Sequence, residues 1–192
     1  MKLRESGMPD EIYWESLFNV ELILDRLQIN SSLQDVTELG SGYGTFTIPV
    51  AKRISGVIET IDIDPGMVKH TRERAEAVGL KNVHASVRDI LMDGFPGQDC
   101  SQDACLLFNI LHGEEPVKIL REAARVVKVG GFILVIHWRW DVKTPRGPCF
   151  EIRPKPEQII EWARQTKLLD LENSIIDLPP WHYGIRLRRM AS

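Results

Sequence analysis

Short apolar runs alternate with helical stretches along most of this chain, and this alternation limits the folds that the chain can adopt. The runs have the length of strands, and several are rich in β-branched residues. Predicted strands cover residues 35–39, 57–63, 82–87, 103–109 and 132–137. Apolar residues at three- and four-residue spacing predict helices between them, over 45–54, 66–78 and 116–128. Alternation at this spacing is typical of a parallel sheet with helices on both faces.

Further elements are predicted on either side of this pattern. One or two helices are expected over 10–28, and another over 155–166, after a loop that contains several prolines. Two last strands are predicted over 171–177 and 185–189. The alternating pattern therefore extends through nearly the whole chain.

Two local predictions concern the ends of these elements. Gly130 and Gly131 are expected to stop the helix that begins at Pro116. Arg186 and Arg188 alternate along the last strand and share a face, which favours a solvated edge strand whose charges deter pairing with another sheet.

Length, charge and cysteine content narrow the class of protein. The chain has 192 residues, 43% hydrophobic and 27% charged, so we expect one globular domain over 1–192 with a core of its own. A formal net charge of -3 gives no electrostatic support for a nucleic-acid partner. Its three cysteines are odd in number and lack a C-x-x-C spacing, so neither a disulfide framework nor a metal site is predicted.

Hydropathy and cysteine usage indicate a cytoplasmic protein. Residues 1–10 are polar and lack the apolar stretch of a signal peptide. The longest dense apolar run, 130–138, is well short of the roughly 18 residues that cross a bilayer. Unpaired cysteines suit a reducing compartment. We therefore expect a cytoplasmic chain without a membrane span.

A glycine-rich turn follows the first predicted strand and opens a helix, the context in which such a turn binds a nucleotide. It reads Glu-Leu-Gly-Ser-Gly-Tyr-Gly over 38–44. Dinucleotide folds require G-x-G-x-x-G, whereas this turn is G-x-G-x-G and Phe46 closes it. Glu38 would sit poorly beside a pyrophosphate, but a carboxylate there suits a ligand that carries an amino group and a sulfonium cation.

Acidic residues also follow the second and third predicted strands. Asp62 is placed to accept hydrogen bonds from both hydroxyls of a ribose, and Asp64 is the neighbouring alternative, because the two share a face of an extended segment. Either could instead cap the helix that begins at Pro65. Asp89 could accept a hydrogen bond from an adenine amine, with Ile90 against the ring. These residues predict a nucleoside site at the carboxyl ends of the strands.

Taken together and in this order, these motifs resemble the class I S-adenosylmethionine-dependent methyltransferases. Within that class, the resemblance is to the small-molecule group that includes ubiquinone and menaquinone biosynthesis enzymes. The matching segments are 38–44, 61–67, 88–89, 103–112 and 124–132. The resemblance implies a Rossmann-like, seven-stranded, mostly parallel sheet whose final strand is antiparallel. It divides the expected domain into an N-terminal helical cap over 1–34, a cofactor-binding half over 35–137, and a substrate-side loop with C-terminal strands over 138–192.

The resemblance also implies a role for each site residue toward S-adenosyl-L-methionine. Ribose would bind to Asp62, and Asn109 would lie beside the methyl-donating sulfur. The methionine portion of the cofactor would be bordered by Glu38, Gly40, Ser41 and Gly42. The adenine would be flanked by Ile63, Met67, Asp89 and Ile90.

No catalytic residue is fixed by the sequence, because methyl transfer is a direct displacement that needs a base only if the acceptor must lose a proton. The candidates are His112, after the fourth predicted strand, and His137, at the end of the fifth. Each could equally be structural. Aromatic and arginine side chains for acceptor recognition are expected from Tyr13, Trp14, Phe18, Trp138, Arg139, Trp140, Arg146, Cys149, Phe150, Arg153, Trp181 and His182.

Two other functions remain compatible with parts of this pattern. A nicotinamide-linked oxidoreductase would share the fold class but predicts a different glycine spacing. A non-catalytic, methyltransferase-like module would bind the cofactor or a protein partner without turnover. The preferred prediction is methyl transfer to a small-molecule acceptor. The short loop after the fifth strand leaves room for a second subunit, and so for a homodimer, at the acceptor side.

Overall fold

Eight strands form the central sheet of the protein, which is described for residues 8–191 of a computed structural model. Residues 1–7 of the expected N-terminal cap and Ser192 lie outside the described residues. The strands are β1 Val36–Leu39, β2 Ile58–Asp62, β3 Val83–Val87, β4 Gln102–Phe108, β5 Val127–Trp138, β6 Leu169–Leu171, β7 Ile176–Leu178 and β8 His182–Arg189.

The order of the strands explains where a ligand can bind. It is β3-β2-β1-β4-β5-β8-β6, with β7 also paired to β8. The five strands from β3 to β5 are parallel, and β8 runs antiparallel to β5. This confirms the mostly parallel, Rossmann-like sheet with an antiparallel final strand. The order reverses between β1 and β4, and ligands of such sheets bind outside the carboxyl ends of the strands at that point.

Seven α-helices cover the two faces of this sheet within the described part of the chain. They are α1 Glu11–Glu15, α2 Val20–Arg26, α3 Thr47–Arg53, α4 Pro65–Ala77, α5 Ile90–Asp93, α6 Pro116–Val126 and α7 Pro156–Gln165. Ile119 of α6 and Ile159 of α7 are buried in one core cluster with alternate residues of the strands. Leu24 of α2 and Val50 of α3 belong to the other cluster. In residues 8–191, no helix is long and apolar enough to cross a membrane.

The strand predicted over 171–177 is two strands in the structure. β6 ends at Leu171 and β7 begins at Ile176, and both pair antiparallel with β8. Between them the chain bends at Asn173 and Ser174, which are residue types that favour turns. The sheet therefore has eight strands rather than the predicted seven.

The boundary between α6 and β5 was also predicted wrongly. The helix ends at Val126, and Val127 already has extended backbone angles. β5 then runs through Gly130 and Gly131 instead of starting after them. Gln102 of β4 pairs with Val127 and Ala104 pairs with Phe132, so β5 contains extra residues at this irregularity. The β-branched residues before the glycines favour a strand, and the glycines do not stop the helix.

Arg186 contradicts the expectation of a solvated edge strand. β8 lies inside the sheet, between β5 and the pair β6 and β7, and Arg186 is only 6% exposed. Its Nε lies 2.7 Å from Glu172 Oε2, and its guanidinium donates to the Leu27 carbonyl and covers the Phe132 ring at 4.2 Å. Arg188, on the same strand, has a side chain that is 51% exposed.

We predict that the two arginines contribute unequally to stability. Arg186→Met removes the donors of a buried ion pair and should lower the free energy of unfolding by ~2–4 kcal/mol. Arg188→Met is the matched control, because Arg188 lies 3.9 Å from the same carboxylate but near the surface. Its effect should stay below about 1 kcal/mol. Urea unfolding of both variants measures this, and equal losses would contradict the structure.

Candidate functional site

A cavity of about 340 Å³ opens at the carboxyl ends of β1, β2 and β4, beside the reversal in strand order. Residues that the sequence predicted for the site line much of it. These are Gly40, Ser41, Gly42, Asp62, Ile63, Asp89, Ile90, Asn109 and His112. Three other predicted site residues, Glu38, Met67 and His137, are not part of its lining.

The turn after β1 brings backbone to the edge of this cavity. Gly40, Gly42 and Gly44 have φ angles of 84°, 50° and 77°, in the left-handed region that favours glycine. A Cβ atom at Gly40 would lie 3.0 Å from Ile110 Cδ1. Any side chain at Gly40 would therefore be strained by its backbone angles and crowded by Ile110.

Asp62 ties the end of β2 to this turn. Its Oδ2 accepts a hydrogen bond from the Gly42 amide at 3.0 Å, and its Oδ1 accepts one from the Asp64 amide at 3.0 Å. Burial raises the pKa of Asp62. Asp64 Oδ1 instead accepts from the Gly66 amide at 2.7 Å and caps α4. Of the two residues that the sequence could not separate, Asp62 lines the cavity and Asp64 is the cap.

Glu38 lies beneath the turn rather than in the cavity. It is 2% exposed, and its Oε2 accepts a hydrogen bond from the Thr47 hydroxyl at 2.5 Å. Burial raises the pKa of this carboxyl to about 7, against a smaller lowering by its hydrogen bonds. Glu38 therefore changes charge near neutral pH directly behind the glycine turn.

Three buried oxygens on the cavity lining have no hydrogen-bond partner among the described residues. They are Ser41 Oγ, Thr45 Oγ1 and Asn109 Oδ1. Asn109 also has a φ of 58°, a conformation that costs energy for a residue other than glycine. Buried polar atoms are nearly always satisfied in folded proteins, so unsatisfied ones point to a missing polar ligand or water.

The end of β3 contributes the side of the cavity that the sequence assigned to adenine. Asp89 and Ile90 line it together with Arg88. Asp89 Oδ1 also accepts from the Leu91 amide at 3.0 Å and so caps α5. α5 was not predicted from the sequence, because it is only four residues long.

The two histidine candidates form a pair, of which one member reaches the cavity. His112 Nδ1 lies 3.2 Å from His137 Nε2. His112 lines the cavity, whereas His137 is fully buried behind it. Burial lowers the pKa of His112 to about 4 and the pKa of His137 well below its usual range. Both rings are therefore neutral at neutral pH.

Four aromatic side chains line another part of the cavity, and we call them the aromatic wall: Trp14, Phe46, Phe108 and Trp138. Phe46 and Phe108 meet edge to face with ring centroids 4.9 Å apart. Phe18, behind the wall, lies 5.1 Å from Phe46 and 6.1 Å from Trp138, measured between ring centroids. The wall is therefore backed by packed rings.

The loop after β5 is fixed over the cavity by Arg153. This side chain is 7% exposed and donates to the carbonyls of Pro148, Arg139 and Arg146 at 2.7, 2.8 and 3.3 Å. Of the predicted acceptor-side residues, Trp14, Trp138 and Arg146 reach the cavity. The others do not line it: Tyr13, Phe18, Arg139, Trp140, Cys149, Phe150, Arg153, Trp181 and His182.

The segment before α1 closes a further side of the cavity. Met8 and Pro9 line it, and the Pro9 carbonyl accepts from the Tyr43 hydroxyl at 2.8 Å. α1 is held to α4 by Arg74, whose Nη1 lies 2.5 Å from Glu15 Oε1. Sequence reasoning missed Met8 and Pro9, because nothing in their residue types signals a ligand site.

Arg88 and Phe108 also line the cavity; both lie in the matching segments, but neither was assigned a role from the sequence. Thr45, which follows the glycine turn, was missed. Within the described residues, no group of three or more His, Cys, Asp or Glu side chains could hold a metal ion.

Comparisons with known proteins agree with this geometry. Residues 36–131 match the family model of a methyltransferase domain. The chain is 31% identical over 159 residues to an uncharacterized 37.1 kDa protein in transposon TN4556 of Streptomyces fradiae, covering 77% of this chain and 45% of the relative. It is 24% identical over 155 residues to 2-methyl-6-phytyl-1,4-hydroquinone methyltransferase 1 of Oryza sativa subsp. japonica, covering 79% and 46%. The chain thus spans about half the length of these relatives.

Solved structures share the fold. A SAM-dependent methyltransferase from Aquifex aeolicus superposes with a TM-score of 0.81 at 22% identity, over 94% of each chain. A second, from Methanosarcina mazei, superposes with a TM-score of 0.68 at 13% identity, over 92% of this chain and all of the other.

We predict that Glu38 makes stability fall as pH rises. The folded state holds a proton on Glu38 up to a pKa of about 7, above the ordinary value of 4.5, so raising the pH removes that proton at a cost to folding. Glu38→Gln cannot ionise, and its stability relative to wild type should rise by ~2 kcal/mol between about pH 5.5 and about pH 8.5.

Urea unfolding at the two pH values measures this difference. Glu73→Gln, which changes an exposed carboxylate on α4, is the control and should show no such trend. A stability difference between Glu38→Gln and wild type that is constant with pH would show that Glu38 is ionised in the folded state throughout.

Proposed function

This chain belongs to the methyltransferase-domain family, and from that premise we propose that it transfers a methyl group from S-adenosyl-L-methionine to a small-molecule acceptor by direct displacement. The observation that carries this proposal is the set of unpartnered buried oxygens of Ser41, Thr45 and Asn109 on the cavity lining. The cofactor, when bound, supplies a methyl group activated by a sulfonium sulfur.

The residues of the cavity fit this cofactor better than a dinucleotide. Its amino group and sulfonium are cationic, and the unpartnered oxygens offer acceptors without a positive charge. Asp62, at the end of β2, would hold the ribose hydroxyls with the lone pairs that Gly42 and Asp64 leave free. The G-x-G-x-G spacing of the glycine turn also departs from the G-x-G-x-x-G of dinucleotide folds.

The other predicted residues would contact either the adenine ring or the methionine portion of the cofactor near the glycine turn. Asp89 would accept from the adenine amine, with Ile63 and Ile90 against the ring, since all three line the cavity. Gly40 and Gly42 would let the backbone approach the methionine portion. Glu38 and Met67 would act from behind this lining, Glu38 through the turn and Met67 from the first turn of α4.

Beyond binding the cofactor, the chain would hold the acceptor in position and exclude water from the cavity. The aromatic wall and the loop that Arg153 holds would enclose the acceptor beside Asn109. Holding both reactants in contact converts a bimolecular step into an effectively unimolecular one. A displacement of this kind requires no charged catalytic group.

The proposal also covers the extent of the domain, the cellular compartment and the oligomeric state of the protein. We place the activity in one domain over 1–192 and in the cytoplasm, which the free cysteines Cys100, Cys105 and Cys149 support. A homodimer is compatible with the short loop after β5, since a second copy could cover the acceptor side.

We predict that S-adenosylhomocysteine binds with micromolar affinity and that Asp62→Ala weakens binding by ~10- to 100-fold, because two hydrogen bonds to a carboxylate are lost. Asp64→Ala is the matched control. It removes a neighbouring carboxylate that caps α4 and does not line the cavity, so its dissociation constant should change by less than about threefold.

Calorimetric titration of the three proteins measures these affinities, with NAD⁺ as a second ligand. A folded wild-type protein that binds no S-adenosylhomocysteine would refute the proposed function. Binding of NAD⁺ instead would favour an oxidoreductase, and a larger loss in Asp64→Ala than in Asp62→Ala would refute the assignment of the ribose site.

A further inference from the structure

The aromatic wall and the histidine pair lie in one cavity, and together they restrict the acceptor. The wall offers apolar ring surfaces. The loop after β5 covers one of them, a face of the Trp138 indole. A Cβ atom at Gly147 would lie 2.8 Å from Trp138 Cγ, so the backbone of the loop rests directly on the indole. A planar aromatic ligand would pack against the ring surfaces of the wall that remain open to the cavity.

The charges on the lining argue against an amine acceptor. Two carboxylates line the cavity, Asp62 and Asp89, and both follow strands on the nucleoside side. The polar side chains at the acceptor side are those of His112 and Arg146. A cationic amine would meet no carboxylate there, whereas a neutral hydroxyl could hydrogen-bond to the imidazole.

The geometry of the pair decides which ring nitrogen is available. His112 Nδ1 faces His137 Nε2 at 3.2 Å, which leaves His112 Nε2 for the cavity. His137 Nδ1 is buried and has no hydrogen-bond partner in good geometry among residues 8–191. The backbone of Trp138 nevertheless raises the pKa of His137, against the larger lowering by burial.

Two tautomers of the pair fit the 3.2 Å contact. A lone pair of His112 faces the cavity only in the one with a proton on Nδ1 of His137. His137 Nε2 then accepts a hydrogen bond from His112 Nδ1–H, and His112 Nε2 keeps its lone pair.

Building on the proposed methyl transfer, we propose that the acceptor is an aromatic compound bearing a hydroxyl group, that His112 Nε2 accepts the hydroxyl proton, and that His137 is a positioning residue for His112.

The step balances without any further reactant. The acceptor O–H bond breaks, its proton moves to His112 Nε2, and the oxygen electron pair forms the bond to the methyl carbon. The sulfonium sulfur keeps the electron pair of the carbon–sulfur bond that breaks. His112 becomes an imidazolium whose Nδ1–H points at the lone pair of His137 Nε2, and solvent later removes the proton. A neutral His137 can stabilise this cation, whereas a protonated one would oppose it.

The surroundings keep the pair neutral over a wide pH range. His112 has a pKa lowered to about 4 by burial, so its lone pair stays free at neutral pH. Within residues 8–191, the other titratable or charged groups near the pair or on the cavity lining are Tyr183, His182, Arg153, Arg146, Asp62, Arg88 and Asp89. Burial raises the pKa of Tyr183, so it is neutral as well. His182 is itself buried, with a pKa lowered to about 3, so it adds no charge near neutral pH.

The first test compares acceptors on protein that binds S-adenosylhomocysteine. The hydroxyl probes are catechol and 1-naphthol, and the matched amines are benzylamine and 1-naphthylmethylamine, which are cationic at neutral pH. We expect methylation of at least one hydroxyl probe and of neither amine. Methylation of the amines alone, or of none of the four, by protein that binds S-adenosylhomocysteine would overturn the acceptor class. Loss of S-adenosylhomocysteine binding would instead refute the proposed function itself.

The second test separates proton transfer from positioning. With the hydroxyl acceptor, His112→Ala should lower kcat by ~10²- to 10⁴-fold, as expected for loss of a general base. His137→Phe should lower kcat by about tenfold at unchanged KM, and His137→Gln, which can still hydrogen-bond to His112, should recover most of it. His84→Gln is the control, because His84 lies on the edge strand β3, pairs with Glu59 of β2 and does not line the cavity.

Equal kcat values for His112→Ala and His84→Gln would overturn the role of His112. Equal losses in His137→Gln and His137→Phe would overturn the positioning role of His137.

The third test needs no turnover. Nitrogen NMR of histidine-labelled protein with S-adenosylhomocysteine should show His112 protonated at Nδ1 and bare at Nε2. Adding 1-naphthol should shift the Nε2 resonance in wild type and much less in His137→Phe. A His112 that carries its proton on Nε2, or an Nε2 resonance that does not respond to the phenol, would overturn the proposal.

Discussion

The carboxylate of Asp62 joins the ends of two parallel strands, and the rest of the cavity is arranged around that junction. Its oxygens accept the amides of Gly42 and Asp64, so β2 holds the glycine turn that follows β1. The turn can approach this closely because its glycines adopt left-handed angles that other residues avoid. With this contact in place, the strand ends, the turn and the start of α4 form one edge, on which we propose that a nucleoside binds.

The lining of the cavity has two kinds of surface. On the side that we propose for the nucleoside, acidic and neutral oxygens offer acceptors, three of which have no partner among the residues that the structure describes. On the side that we propose for the acceptor, packed rings and neutral imidazoles dominate. A cationic cofactor and a neutral aromatic acceptor would each meet the surface that suits it. Burial accounts for both properties, because it raises the pKa of carboxyl groups and lowers that of histidines.

Much of this arrangement could be predicted from residue types, because the carboxyl ends of parallel strands meet at one edge. Asp62 and Asn109 lie at the ends of predicted strands, and the glycine turn and Asp89 follow others. Of the acidic candidates, Asp62 and Asp89 reach the cavity, Asp64 caps a helix, and Glu38 is buried. The choice between Asp62 and Asp64 could not be made, since it depends on the backbone turn and not on spacing. Met8 and Pro9 come to the cavity through tertiary contacts that leave no local signal.

Other errors arose where tertiary structure overrides local preference. Alternation along the last strand predicts Arg186 on a solvated edge, yet Glu172, the Leu27 carbonyl and the Phe132 ring together satisfy it in the interior. Gly130 and Gly131 predict a helix stop, but β5 continues through them and pairs with β4 on both sides, at Val127 and at Phe132. In both cases a partner distant in sequence decides the outcome.

A crystal structure of the protein with S-adenosylhomocysteine tests the central claim most directly. The account predicts the ribose hydroxyls on the Asp62 carboxylate, the adenine between Ile63 and Ile90, and the thioether sulfur beside Asn109 and His112. A ligand bound outside this cavity, or one whose nucleoside lies against the aromatic wall instead of Asp62, would contradict it.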